Sequence, residues 1–251
     1  MISKSDLLSY KATRSANAYL TLPSPAQVLE PVFKELDSIV TGYNCYVQEP
    51  SRQAVEDEGG VEYKIADRVL IEAVLEPTIL SVNNDNYNSV IGILYAHDVQ
   101  KPIIKTYLGF ENQACLNLSV FNPIDIVQKD FASTDFNTIY ESIPMFLDRY
   151  NKRKEELREA VDFLMGETLY GDDLHRVLGE VAIKSYKTIA MKSHYSQMVD
   201  NIVNNKSRYF NQDGSYTRYD LYQAMTDSID KRTIVANRPD KVLNAYNFFK
   251  F

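Results

Sequence analysis

The sequence predicts an α+β fold, with a mainly antiparallel sheet in the N-terminal half packed by a helical C-terminal half. Three observations predict it. Between Val69 and Phe121 the chain passes through short runs of β-branched and aromatic residues, separated by Pro77, an Asn/Asp cluster and Pro102. After Pro123 the apolar residues recur instead at the spacing of a helix, about 3.6 residues. Strands and helices are therefore segregated along the chain, which argues against a doubly wound parallel sheet.

Residues 1–23 are polar and aromatic with weak periodicity and read as an arm or a first strand. Ser24-Pro25 offers an N-cap followed by proline at the first helical position. Val28, Leu29, Val32, Phe33, Leu36, Ile39 and Val40 follow at helical spacing, and Gly42 supplies the stop. Pro31 lacks the N–H that a helix interior needs, so the spacing predicts a helix beginning near Glu30. Tyr43–Gln48 reads as a strand, and 49–60, polar and closed by Gly-Gly, as a loop. Glu62–Leu75 is a strand broken by Pro77, Ile79–Val82 is a second, short one, and Asn83–Asn86 is a turn. Val90–Tyr95 and Ile103–Phe110 form a hairpin around 97–102.

Helical spacing returns over Thr138–Met165 through Ile139, Ile143, Phe146, Leu157, Val161 and Leu164, with a solvated stretch at 151–156. Asp172–Tyr186 and Thr188–Val203 follow as helices, then a loop over 204–214. Thr217 and Asp220 resemble a capping box, with Asp in place of Glu, and open a helix to about Ile229. Pro239-Asp240 begins a last short helix. The organisation is a β-rich portion over 1–130 with one N-terminal helix and a helical portion over 131–251, expected to form one continuous domain.

Composition narrows the functional classes. The 251 residues are 45% hydrophobic and 24% charged, ordinary for a globular protein with an ample core. Net charge is −7, which excludes a whole-surface electrostatic grip on duplex DNA but leaves room for a local basic groove. Cys45 and Cys115 sit in apolar company and define no disulfide framework. No secretory signal and no apolar membrane span are expected, so the reading is a soluble, cytoplasmic protein. Tyrosines, 18 of them beside 11 Phe and no Trp, are spread along the length rather than gathered in one box, as amphipathic core filling would have it.

Motifs of catalysis are sparse. His97, His175 and His194 carry no metal-ligand spacing. There is no nucleophile elbow, no phosphate-cradling Gly-rich loop and no dinucleotide fingerprint. Cys115, among Leu116, Leu118 and Val120, reads as an inert core thiol. Glu56-Asp57-Glu58 falls in a loop, and Asp172-Asp173 stands at a helix start, where negative charge is stabilised. Glu72 and Glu76 with Lys64 loosely follow the pattern of a metal-dependent nuclease but read as solvent-facing strand residues. No cofactor and no metal are expected, and the chain is not read as a hydrolase, kinase or dehydrogenase. Basic residues gather at Lys152-Arg153-Lys154, at Lys184, Lys187 and Lys192, and at Lys231-Arg232. A further cluster, Lys206, Arg208, Tyr209 and Phe210, interleaves cations with aromatics as single-strand nucleic-acid binders do.

Two segments carry a family resemblance. Leu108-Gly-Phe-Glu-Asn-Gln-Ala-Cys-Leu-Asn-Leu, preceded by Asn88-Ser89, resembles the core of the phage- and plasmid-borne family called domain of unknown function 932. Thr217-Arg-Tyr-Asp-Leu-Tyr-Gln-Ala-Met-Thr-Asp is similar to that family's C-terminal segment, with Tyr219 where the family has Trp and Leu118 in place of a glycine. The resemblance covers about residues 43–230 and implies a setting, a mobile-element protein acting inside the host cell. It transfers no functional residue.

The leading expectation is thus a phage-encoded accessory binding protein for single-stranded nucleic acid or a host or phage protein, serving replication, recombination or counter-defence. An oligomer is compatible with it. The alternatives are a virion structural or internal protein and a divergent metal-dependent nuclease. Finally, Val242, Leu243, Tyr246, Phe248, Phe249 and Phe251 load the last residues with apolar surface. Such a tail either docks into its own core, the favoured reading, or acts as an interaction element through Phe248, Phe249 and Phe251.

Overall fold

The computed structural model describes residues 1–11, 13–14, 21–48, 55–56, 62–63, 68–82, 85–96, 103–113, 118–130, 137–188, 191–204, 213–229 and 238–250. The chain opens on α1 (Lys4–Leu8), started by a capping box between Ser3 and Asp6. Two short strands follow, β1 (Thr13–Arg14) and β2 (Thr21–Leu22), paired with each other. Helix α2 (Pro25–Leu36) starts at Ser24, whose capping box with Gln27 sets the N-terminus. Pro31 lies inside α2 rather than before it. A proline there costs about 3 kcal/mol. The helix also buries Val28, Leu29, Val32, Phe33 and Leu36, each worth about 1.5–3 kcal/mol, and Pro31 itself faces solvent. Burial wins, so the start near Glu30 is corrected to Pro25.

Strand β3 (Gly42–Gln48) is followed by β4 (Val55–Glu56), in what the sequence presents as loop, which pairs with β5 (Glu62–Tyr63) at the start of the expected strand. The next three strands make the body of the sheet: β6 (Arg68–Val82), β7 (Asp85–Ala96) and β8 (Ile103–Asn112). Pro77 does not divide β6. Its register against β7 shifts between Val74 and Glu76 and again between Glu76 and Leu80, and such irregularities are where a strand accommodates proline. Asp85 and Asn86 belong to β7 rather than to a turn; residues 83–84 are outside the described set.

Strand β9 (Leu118–Ser119) leads through a single 3₁₀ turn, Pro123–Asp125, into β10 (Ile126–Asp130). The sheet therefore runs past Phe121. β9 and β10 share one edge of β8, at Phe110–Glu111 and Ile103–Tyr107 respectively. The strand order is β10-β8-β7-β6-β3, with β9 also on β8, and every pairing is antiparallel.

The helical half comprises α3 (Asn137–Met165), a short pair β11 (Thr168–Leu169) and β12 (Tyr216–Thr217), α4 (Gly171–Lys187), α5 (Lys192–Val203), α6 (Arg218–Asp227) and α7 (Arg238–Phe249). Helix α5 begins at Lys192, later than the spacing suggests. Thr217 and Asp220 do form the capping box of α6.

Alternation along the strands gives the sheet two apolar faces. One carries Val69, Ile71, Ala73, Ile91, Ile93, Ile104 and Leu108, covered by α1, α2 and the first half of α3 through Ile139, Ile143 and Phe146. The other carries Leu70, Val90, Leu94 and Tyr107, covered by α4–α7 and the second half of α3 through Leu157, Val161 and Leu164. The sheet is thus the middle layer, and α3 serves both outer ones. No helix among the described residues is long and apolar enough to cross a membrane.

Candidate functional site

The polar chemistry of the molecule gathers where α7 lies on the sheet. One row across the strands reads Asn44, Glu72, Gly92, Tyr107. Gly92 has no side chain, and a Cβ there would fall inside the Tyr107 ring. The missing side chain lets the ring lie across β7 and bring its hydroxyl to Glu72 Oε1, 3.0 Å away. Arg238, at the start of α7, donates from its guanidinium to the same oxygen at 3.0 Å. Glu72 is fully buried and Arg238 is 3% exposed. This corrects the solvent-facing assignment of Glu72. Alternation along β6 turns it toward the helical layer, with Leu70, and there a charge must be paired.

A second tie lies beside it. Lys105 is 1% exposed, and its ammonium pairs with Asp240 in the first turn of α7, where the helix dipole favours a carboxylate. The two ties hold α7 to β6 and β8. Burial, and then the Glu72 charge, raise the Tyr107 phenol well above its ordinary range, so it stays protonated and donates. Burial followed by Glu72 also pushes Tyr46, beside them, up to about 12. A carboxylate gripped this way is a structural anchor and a poor proton carrier.

Further along the same face, Gln223 donates to the Tyr87 hydroxyl at 2.6 Å, and Tyr87 and Tyr219 share a buried hydrogen bond. Tyr222, fully buried, has its hydroxyl raised above the usual range mainly by burial and lies beside Ser119. These contacts join α6 to Tyr87 on β7 and Ser119 on β9.

His194, Ser228 and Lys241 join α5, the end of α6 and α7. His194 Nδ1 lies 3.1 Å from both the carbonyl oxygen and Oγ of Ser228, and Lys241 Nζ lies 3.0 Å from Nε2. A carbonyl only accepts, so Nδ1 carries the hydrogen; an ammonium only donates, so Nε2 accepts. Desolvation, then Lys241, lowers the His194 pKa. The imidazole is neutral, with Nε2 engaged by Lys241, and does not serve Ser228 as a base.

Arg153 is a further correction. It lies in the stretch the sequence presents as solvated, yet it is 4% exposed, with its Nε 2.9 Å from Asp125 Oδ1 and Glu156 as a second partner. Burial raises the Asp125 carboxyl to about 6 in spite of Arg153 and Arg149. Lys152 is exposed, and Lys154 lies over the Tyr150 ring, 4.7 Å from its centroid.

Of the other candidates, Asp172 and Asp173 are exposed in the first turn of α4; Lys187, at its end, and Lys192, at the start of α5, are exposed too, and Lys184 is half-buried. His175 is exposed. Cys45 is buried against α1 and α2, and burial pushes its thiol up to about 11, so it is inert. Phe248 and Phe249 are 7% and 0% exposed, within the core that one face of the sheet shares with the helical half. They are packed within their own chain. Lys206, Arg208, Tyr209 and Phe210 lie outside the described residues, as do Lys64, His97, Cys115, Lys231, Arg232 and Phe251. What the structure does describe is where the 206–210 segment is entered and left. Val203 and Asn204 at the end of α5 and Asp213-Gly214 before β12 are all exposed.

Among the described residues no group of three or more His, Cys, Asp or Glu side chains could hold a metal. Sequence reasoning missed the Glu72–Arg238 and Lys105–Asp240 ties, although Glu and Lys standing at apolar positions of strands that alternate was a usable signal. Comparison with protein-family models, with curated proteins and with solved structures finds no match.

Proposed function

We propose that this chain is an accessory binding protein of a mobile genetic element, acting inside the host cell, and that its target is single-stranded nucleic acid. One observation carries the reading. Two cations and two aromatics, Lys206, Arg208, Tyr209 and Phe210, fall within five residues, and the described residues on either side, Val203, Asn204, Asp213 and Gly214, are exposed. Aromatic rings stack on any base, and neighbouring cations neutralise the backbone, so this composition suits sequence-tolerant binding. The net charge of −7 restricts the contact to a local patch. The resemblance to the phage- and plasmid-borne family supports the setting. The buried carboxylate Glu72, held by Arg238 and Tyr107, favours binding over a nuclease built on that residue.

Fluorescence anisotropy with a labelled single-stranded oligonucleotide tests the proposal. Tyr209→Ala and Phe210→Ala should each weaken binding by about 1–3 kcal/mol, roughly 5- to 150-fold. Lys206→Glu should also lower the salt dependence. Wild-type affinity in all three variants, or no binding by the native chain, would refute it.

A further inference from the structure

Helix α4 presents an exposed outward stripe, in which Tyr186 makes ring contacts within the chain, with Tyr195 and Lys192. Asp172, Arg176, Gly179, Ile183 and Tyr186 are all exposed, and they recur at intervals of four and three residues, the spacing of a coiled-coil seam. Ile183 is 60% and Tyr186 53% exposed. Gly179 stands in the middle of the helix, where only proline is a poorer helix former. A Cβ at Gly179 would meet nothing within 4 Å. The described surroundings do not require the glycine there, and a glycine permits the close approach of another backbone.

The charges beside the stripe identify that other backbone. Asp173, Arg176, Glu180 and Lys184 alternate in sign along one flank. If a second α4 is laid antiparallel about a two-fold axis beside Gly179, Asp173 of each copy meets Lys184 of the other and Arg176 meets Glu180. Symmetry doubles both contacts. Tyr186 then falls opposite Tyr170 of the second copy, and Tyr170 is 52% exposed. Side chains of Asp173, Arg176 and Glu180 are 67%, 52% and 40% exposed, and their pairs within the helix span 3.4–3.5 Å. Exposed pairs of that kind are weak, so exchanging them for pairs between copies loses little. A parallel arrangement in register would set like charges together. We propose that two copies of the chain associate through antiparallel contact of their α4 helices. The modest apolar content of the stripe makes this a dissociable dimer.

Sedimentation equilibrium of the native chain without nucleic acid, up to about 100 μM, should show the mass rising from one chain to two. Asp173→Lys and Lys184→Glu should each weaken association roughly tenfold or more, and the combined variant should restore it, because both signs are then reversed. Gly179→Cys should cross-link into a covalent dimer under mild oxidation. Glu155→Cys, at an exposed position of α3, should not. The proposal is overturned by a one-chain mass at every concentration, by a combined variant no better than either single one, or by equal cross-linking at the two positions. The measurement uses no oligonucleotide, so its outcome is independent of the nucleic-acid reading.

Discussion

Removing the Arg238 guanidinium should be far more damaging than neutralising both members of its ion pair. Glu72 and Arg238 are 0% and 4% exposed at their side chains and 3.0 Å apart. Arg238→Met keeps most of the stem but leaves the buried carboxylate without that counter-charge, a loss of about 3–5 kcal/mol. The upper limit is set by proton uptake. Once it costs less to protonate Glu72 than to bury it charged, its folded pKa lies above the unfolded value of about 4.3. The folded variant then binds more protons than its unfolded chain, so it regains stability as pH falls from 7 to 5, by about 1.4 kcal/mol per unit. Adding Glu72→Gln removes the charge while keeping an oxygen that accepts from Tyr107. The double variant should recover about 2 kcal/mol of the loss. Urea unfolding followed by circular dichroism at several pH values measures all three proteins. The reasoning is wrong if Arg238→Met costs under about 1 kcal/mol, or if the double variant loses as much as the two single variants summed.

The other expectations follow from the same contacts. Gly92→Ala should destabilise by about 1–3 kcal/mol or more through collision with the buried Tyr107 ring, and Tyr107→Leu in the same chain should relieve the collision, as urea midpoints would show. The His194 pKa is lowered in the folded chain, so the unfolded chain takes up the proton first as pH falls. The stability that His194 contributes is complete above its unfolded pKa of about 6.5 and is lost as pH drops below it. His194→Gln should flatten that part of a stability–pH profile. Removing residues 247–251 takes away Phe249, which is fully buried, and should destabilise by at least the 3–5 kcal/mol typical of a lost buried Phe. A fall in melting temperature with new dye-binding surface is expected; unchanged melting would restore the interaction-tail role of Phe248 and Phe249.

How much of this was legible depended on whether the signal was local. The N-cap at Ser24 and the capping box at Thr217, the antiparallel body of the sheet and the helical half follow from residue types and spacing within a few positions. Pro31 and Pro77 misled because proline reports only its own missing N–H. Whether the helix or strand continues depends on apolar residues beyond it and on a register shift that a single sequence does not display. Arg153 and Glu72 misled for the opposite reason. Each is charged in a locally polar or mixed stretch, and its burial comes from a partner far along the chain, Asp125 for the one and Arg238 for the other. The Asn44–Glu72–Gly92–Tyr107 row exists only after the strands are in register.

The most direct test of the nucleic-acid reading exploits the absence of tryptophan from the chain. Tyr209→Trp places a single indole in the proposed binding segment. Titration with an oligothymidylate should quench its fluorescence to saturation, through stacking on the bases, and added salt should reverse the quenching. Blunt duplex of the same length should leave the emission unchanged. An indole that ignores the single strand, or responds equally to duplex, contradicts the account.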